Sequence, residues 1–109
     1  MIDIFVISPY SDPDQDVVNE HVWGAEEYLA TLIKQGHVAF SVIVAFSDFC
    51  EKYQIDSNYD YWEKYCQQMI ESTHVVHVLM LDGWEDSVGV QAEIAHARSL
   101  GKLIEFIQV

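Results

Sequence analysis

Positive charge is scarce in this chain: five Lys and Arg stand against 18 Asp and Glu in 109 residues, a formal charge of −13. Such a surface repels nucleic-acid polymers and anionic membranes, both of which require clustered basic residues. A small anion is still admissible if backbone N–H groups rather than lysines hold it. Cysteine is also rare. Cys50 and Cys66 lie 16 residues apart with no CxxC and no Cys/His grouping, which reads as two reduced, partly buried thiols. No apolar run approaches the roughly 20 residues that span a bilayer. The opening Met1-Ile2-Asp3-Ile4-Phe5-Val6-Ile7 lacks the basic n-region and cleavage site of a signal peptide. The expectation is one complete cytoplasmic domain over residues 1–109. There is no Walker loop, no GxGxxG after the first strand and no GxSxG elbow. The first strand ends in Ser8-Pro9-Tyr10 rather than paired acids, which argues against a phosphoacceptor receiver domain.

Short apolar runs alternate with helical stripes. Ile2 to Ile7 reads as a strand, stopped by the turn residues Ser8-Pro9-Tyr10-Ser11-Asp12-Pro13. Val18, Val22, Ala25, Leu29 and Leu32 recur at helical spacing, predicting a helix from about Pro13 to Gln35, ended by Gly36. His37 to Ala45 is β-rich and reads as a second strand; Phe46 to Asn58 has no clear period and reads as a loop, with at most a helical turn. Trp62, Tyr65, Cys66, Met69, Ile70 and Thr73 fall on one helix face. Val75 to Leu81 is a third strand, Ser87 starts a third long helix that ends near Gly101, and Leu103 to Val109 is a fourth strand. Near-continuous apolar strands separated by helices predict an α/β fold. The expected form is a small doubly wound three-layer sandwich, flavodoxin- or Rossmann-like, with a four- to five-stranded, mainly parallel sheet. Ligands bind such sheets beyond the carboxyl ends of the strands. Those ends are Ser8–Asp12, the segment after Ala45, and Asp82–Gly89.

The last of these carries the densest signal. Ser87 suits a helix N-cap, and free N–H groups of the first turn would face a bound anion there. Gly89 and Glu93, four apart, share a stripe, so Glu93 leans toward the space that Gly89 leaves empty. Glu93 would lie about 9 Å further along the axis than Ser87, at roughly 1.5 Å per residue. A phosphate at one end and a reactive carboxylate at the other would suit a nucleotide. Val90, Ile94 and Ala97 flank Glu93 on the apolar stripe, and partial desolvation there favours a raised pKa. A surface glutamate on an amphipathic helix has the same spacing.

Gly83-Trp84-x-x-Ser87-x-Gly89-x-x-x-Glu93, followed by Ala95-x-Ala97 and Gly101-Lys102, resembles the nucleoside 2-deoxyribosyltransferase-like superfamily. That group includes the deoxynucleoside 5′-monophosphate N-glycosidases and small bacterial and phage proteins. Ile7-Ser8-Pro9-Tyr10-Ser11 and Gly36-His37-Val38-x-Phe40-Ser41-x-Ile43 resemble the same small proteins, so the likeness covers nearly the whole chain in order. The resemblance implies that Glu93 is the catalytic carboxylate that attacks the sugar anomeric carbon and expels the base. It implies that Ser87 binds the phosphate, and that Ser8 and Tyr10 line the sugar and phosphate site. It also implies a homodimer or higher homo-oligomer acting on a small-molecule nucleotide without a cofactor. The sequence departs from the pattern at several helpers. Cys66 stands where many relatives have an aspartate four residues after the tryptophan matching Trp62, with Asp60 six residues earlier. His21 stands where relatives often have an arginine, and Val42 where they tend to have proline.

Other constellations carry less. His74 and His77, three apart on a strand, point to opposite faces and cannot chelate one metal. His96, three residues after Glu93, could hydrogen-bond it but reads first as a surface histidine. Asp82, Glu85 and Asp86 read as a solvated acidic loop rather than a cation site. Cys66 reads as a core thiol. Of the aromatics, Tyr53, Tyr59, Tyr61, Trp62 and Tyr65 are candidates for stacking a base or for packing core and interface, while Trp84 is expected to line the pocket. No metal site is expected. The sequence thus offers an N-glycosidase or deoxyribosyltransferase acting on a 2′-deoxynucleoside 5′-monophosphate. The alternatives are a non-catalytic nucleotide-binding module of the same fold and a purely structural oligomer.

Overall fold

A computed structural model describes residues 2–109. Strand β1 (Ile2–Ile7) lies inside a four-stranded sheet, with Ile4, Phe5, Val6 and Ile7 all buried. Consecutive buried residues mean that both faces are covered, which is why this strand carries no polar alternation. Helix α1 (Gln15–Lys34) follows, capped by the Asp14 carboxylate, which accepts from the Asp16 N–H at 2.9 Å. Beyond its last turn Gly36 takes φ +93°, the left-handed conformation a side chain disfavours. Strand β2 is only Ala39–Phe40; helix α2 (Val42–Tyr53), helix α3 (Tyr59–Glu71), strand β3 (Thr73–Leu79), helix α4 (Val88–Ser99) and strand β4 (Leu103–Ile107) complete the order.

The sheet order is β2-β1-β3-β4 and every pairing is parallel. The chain therefore winds outward from the β1–β3 pair in both directions, the doubly wound arrangement, with the switch point between β1 and β3. Alternate residues feed two cores. Phe5, Ile7, Val76 and Val78 pack with Ile70, Val90, Ile94 and Ala97. Ile4, Val6 and Leu79 pack on the other face with Ala25 and Leu32 of α1. This is a three-layer sandwich of four helices and four strands among the described residues.

Three expectations change. The β-rich stretch His37–Ala45 forms strand over two residues only, because the buried Ser41 hydroxyl accepts from the Val44 N–H at 3.2 Å and starts α2. Val42, Phe46, Cys50 and Tyr53 then fall at helical spacing, and the segment expected to be loop is mostly helix. Thr73, assigned to the helix stripe, instead opens β3 and donates its hydroxyl to the Ile2 carbonyl oxygen at 3.1 Å. The fourth strand stops at Ile107.

His74 and His77 point to opposite faces, as alternation requires. His77 is buried on the α1 side, where its Nε2 donates to the Glu105 carboxylate at 2.8 Å and its Nδ1 lies 2.6 Å from the Tyr28 hydroxyl. These contacts tie α1, β3 and β4 together on the face away from the α3–α4 layer. Among the described residues no helix is long and apolar enough to cross a membrane.

Ile70 is fully buried beneath the α3–α4 layer, whereas Leu103 is exposed on the edge strand. Ile70→Ala is expected to lower stability by about 2–5 kcal/mol. Leu103→Ala should change it by less than about 0.5 kcal/mol; urea unfolding of the two variants measures both.

Candidate functional site

A cleft of about 490 Å³ opens at the carboxyl end of β1, walled by α2, α3 and the start of α4. Ser8, Tyr10, Ser87, Gly89 and Glu93 all line it, so five of the six residues singled out from the sequence converge on one cavity. Its position is where the winding of the sheet reverses. The sixth residue, Trp84, does not line it. Trp84 lies in a single 3₁₀ turn before α4 and packs on Phe106 of β4, with ring centroids 5.7 Å apart, outside the cleft. Gly83 at φ +86° makes the turn that carries the indole toward the sheet edge.

Ser87 caps α4 as expected, its hydroxyl oxygen accepting from the Val90 N–H at 3.3 Å. With the helix phase fixed there, Val90, Glu93, Ile94 and Ala97 all turn inward and are buried. Glu93 is only 8% exposed, and its Oε2 has no hydrogen-bond partner among the described residues. Burial pushes its carboxyl up to about 8, since a charge without solvent or partner is costly. At neutral pH Glu93 is therefore mostly a neutral acid held inside a ligand-sized cavity. An unpartnered buried carboxyl is rare enough to require an explanation.

Two further groups are in the same condition. Ser8 Oγ and the Tyr59 hydroxyl are buried in the cleft lining without hydrogen-bond partners. Tyr59 opens α3, and burial followed by the nearby Glu93 charge raises its phenol well above the usual tyrosine value. It stays protonated, a donor at any ordinary pH. Cys66 is likewise buried, and desolvation with the Glu93 charge pushes its thiol up, so it is a neutral core thiol rather than a nucleophile. The space beside Gly89 is not empty. A Cβ there would lie 3.0 Å from Cδ1 of Tyr59, so the glycine accommodates the tyrosine ring. Tyr59 is the site residue whose chemistry the sequence reading missed. It extends the Trp62–Cys66 stripe one turn back, at i−3 and i−7, and that spacing was the available signal.

Trp62 also lines the cleft, with its Nε1 donating to the Asp56 carbonyl oxygen at 2.7 Å and its ring stacked on Phe46 at 5.2 Å. Tyr53, Tyr61 and Tyr65 lie outside it and are exposed. His96 does not bond Glu93; its Nε2 lies 3.2 Å from the Glu71 carboxylate. His21 is buried behind the cleft rather than in its wall, against the carbonyl oxygens of Tyr10 and Asp82. No group of three His, Cys, Asp or Glu among the described residues is placed to hold a metal ion. No Lys or Arg lines the cleft, whereas Asp60 and Asp86 do. An anion bound here must rely on the α4 N-terminus and on hydroxyls.

Glu93 sets a definite pH dependence. Its carboxyl titrates near 4.5 when unfolded and near 8 when folded, so its contribution to stability is fully present below about 4.5 and is lost as pH rises through about 8. The loss is on the order of 5 kcal/mol. Glu93→Gln removes this titration. At about pH 8.5 the variant should be more stable than the parent by about 2–4 kcal/mol, with little difference near pH 5; denaturant unfolding at the two pH values measures it.

Comparison with the curated proteins gives no match. A family model described as Domain of unknown function (DUF1937) matches residues 2–108. The match spans β1 through β4 and every residue of the cleft, and the chain belongs to the DUF1937 family.

Proposed function

We propose that the cleft binds a 2′-deoxynucleoside 5′-monophosphate and that Glu93 cleaves its N-glycosidic bond. The observation that carries this reading is the Glu93 carboxyl, buried without a hydrogen-bond partner in a cavity at the strand ends and pushed up to about 8. An N-glycoside is a substrate for such a group. The ionised carboxylate attacks the anomeric carbon, the carbon–nitrogen bond breaks, and its electron pair leaves with the base, which takes up a proton. Water then hydrolyses the glycosyl ester and returns the carboxylate; an acceptor base in place of water makes the same chemistry a transfer. Ser87 with the α4 N-terminus takes the phosphate. Ser8 and Tyr10 position the sugar, and the permanently protonated Tyr59 donates a hydrogen bond within the cavity. The likeness of Gly83–Glu93 to the nucleoside 2-deoxyribosyltransferase-like superfamily supports the assignment. It further suggests a cytoplasmic homodimer or larger homo-oligomer.

A second reading, a nucleotide-binding module without turnover, is favoured by a specific pair of observations. Glu93 is mostly protonated at neutral pH, and Cys66 replaces the acid that relatives would use beside it with a thiol of raised pKa.

The readings part on one assay. Deoxynucleoside 5′-monophosphates and the corresponding nucleosides are incubated with the protein, and free base is measured by chromatography. Under the first reading, base is released and Glu93→Ala abolishes it, with a loss of at least about 10³-fold. Because the nucleophile must be ionised, kcat/KM should climb with pH through about 8 and then level off. No base release, with nucleotide-dependent thermal stabilisation, selects the second reading.

A further inference from the structure

His21 occupies a position that constrains its hydrogens. It lies on α1, 5% exposed, with Nδ1 3.0 Å from the Tyr10 carbonyl oxygen and Nε2 2.8 Å from the Asp82 carbonyl oxygen. Carbonyl oxygens only accept. A neutral imidazole carries hydrogen on one nitrogen and would set the lone pair of the other against an acceptor. Both contacts are hydrogen bonds only when both ring nitrogens carry hydrogen.

The two carbonyls belong to the two loops that frame the cleft. Tyr10 follows β1, and Asp82 follows β3, the adjacent strand across the switch point. One loop brings Ser8 and Tyr10 into the cleft; the other leads to Ser87 and Gly89. Apart from the Asp14 cap at the start of α1, no other side-chain hydrogen bond among the described residues joins these loops to α1. We infer that His21 is a proton-dependent clasp, a positioning residue whose doubly protonated ring holds the β1 and β3 loops at the spacing of the bound ligand. Loss of one proton releases one loop.

The charges around the ring suit this role. Asp12 lies on the first loop, Asp14, Asp16 and Glu20 cap or lie on α1, and Asp82, Glu85 and Asp86 lie on the second loop. From α2, the charges of Glu51 and Asp48, with Cys50, bear on Tyr10. Against these stand two cations, Lys34 in the last turn of α1 and Lys52, which sits over the Tyr53 ring. Among the described residues none of the carboxylates pairs directly with His21, so the cationic ring is held by carbonyl dipoles within a net negative surround. The clasp follows from hydrogen-bond geometry and is independent of whether the cleft turns over its ligand.

The test uses the full chain labelled with ¹⁵N. Histidine ring spectra and backbone amide exchange, corrected for intrinsic rates, are recorded at about pH 6 and about pH 8.5, spanning the range in which histidine changes charge. The His21 resonances are identified by their loss in His21→Phe. At the lower pH both His21 nitrogens should be protonated. As one loses its hydrogen, protection of the amides near Tyr10 and Asp82–Ser87 should fall by about 3- to 10-fold relative to α3, the equivalent of one hydrogen bond. His21→Phe should show the lower protection at both pH values. A ring with one bare nitrogen at the lower pH overturns the clasp, as does a ring that titrates while both loops keep their protection. Sequential backbone-to-ring assignment of His21 in the parent protein keeps the ring spectrum decisive if the variant does not fold.

Discussion

A carboxyl group buried without a partner is tolerated only as the neutral acid, and the site is arranged around holding Glu93 in that state. Its neighbours are chosen accordingly. Tyr59 and Cys66 both face the Glu93 charge, and both are groups that stay neutral. A second carboxyl at position 66 would face Glu93 as a like charge, and two such groups in one desolvated cavity do not ionise together. Cysteine at 66 removes that conflict and leaves Glu93 the one carboxyl at this point of the cavity. Gly89 belongs to the same arrangement, because a Cβ there would crowd the Tyr59 ring at 3.0 Å.

The parallel sheet supplies the place. Since β1 and β3 are neighbours whose following connections diverge, a crevice opens above their carboxyl ends without any special loop. Helix α4 starts at that crevice under its Ser87 cap, and the burial of Val90, Ile94 and Ala97 against the sheet turns Glu93 inward with them. Helix α2 provides the opposite wall through Phe46 and Cys50. The Tyr28–His77–Glu105 contacts brace the other face of the sheet, so the scaffold is tied on the side away from the cleft while Ser8 Oγ, the Tyr59 hydroxyl and Glu93 Oε2 in the cleft keep no partner among the described residues. The His21 clasp joins the two, reaching from α1 to the loops on both sides of the crevice.

Much of this was legible in the residues. β1, β3 and β4 are apolar runs bounded by turn residues, and α1 and α4 carry regular stripes with serviceable caps, so the sheet and its parallel sense followed from spacing; for Glu93 the spacing allowed both an inward and a surface position, and burial beside Val90, Ile94 and Ala97 decides for the first. Helix α2 did not, because Val42, Ile43 and Val44 are β-branched and favour strand locally. The buried Ser41 cap and the packing of Val42 on the core override that preference. Trp84 misled because its place in the chain, one turn before a helix at the ligand end, says nothing about the direction of its side chain. Gly83 in its left-handed conformation sends the indole to Phe106. Tyr59 stood among five aromatics as a stacking or packing candidate and its hydroxyl was not singled out, although its spacing to Trp62 and Cys66 places it on the inward stripe. The clasp at His21 joins residues 11 and 61 positions away, and no local pattern encodes such a contact.

The central claim, that a neutral buried acid waits in the cleft, is tested most directly by the side-chain carboxyl ¹³C shift of Glu93, followed by NMR from about pH 4 to about pH 10 and assigned by its absence in Glu93→Gln. A midpoint near 8, well apart from the exposed carboxylates, is the expected result. A midpoint near 4.5 would mean that Glu93 is solvated or paired in solution, and the cleft would lose the group on which this account depends.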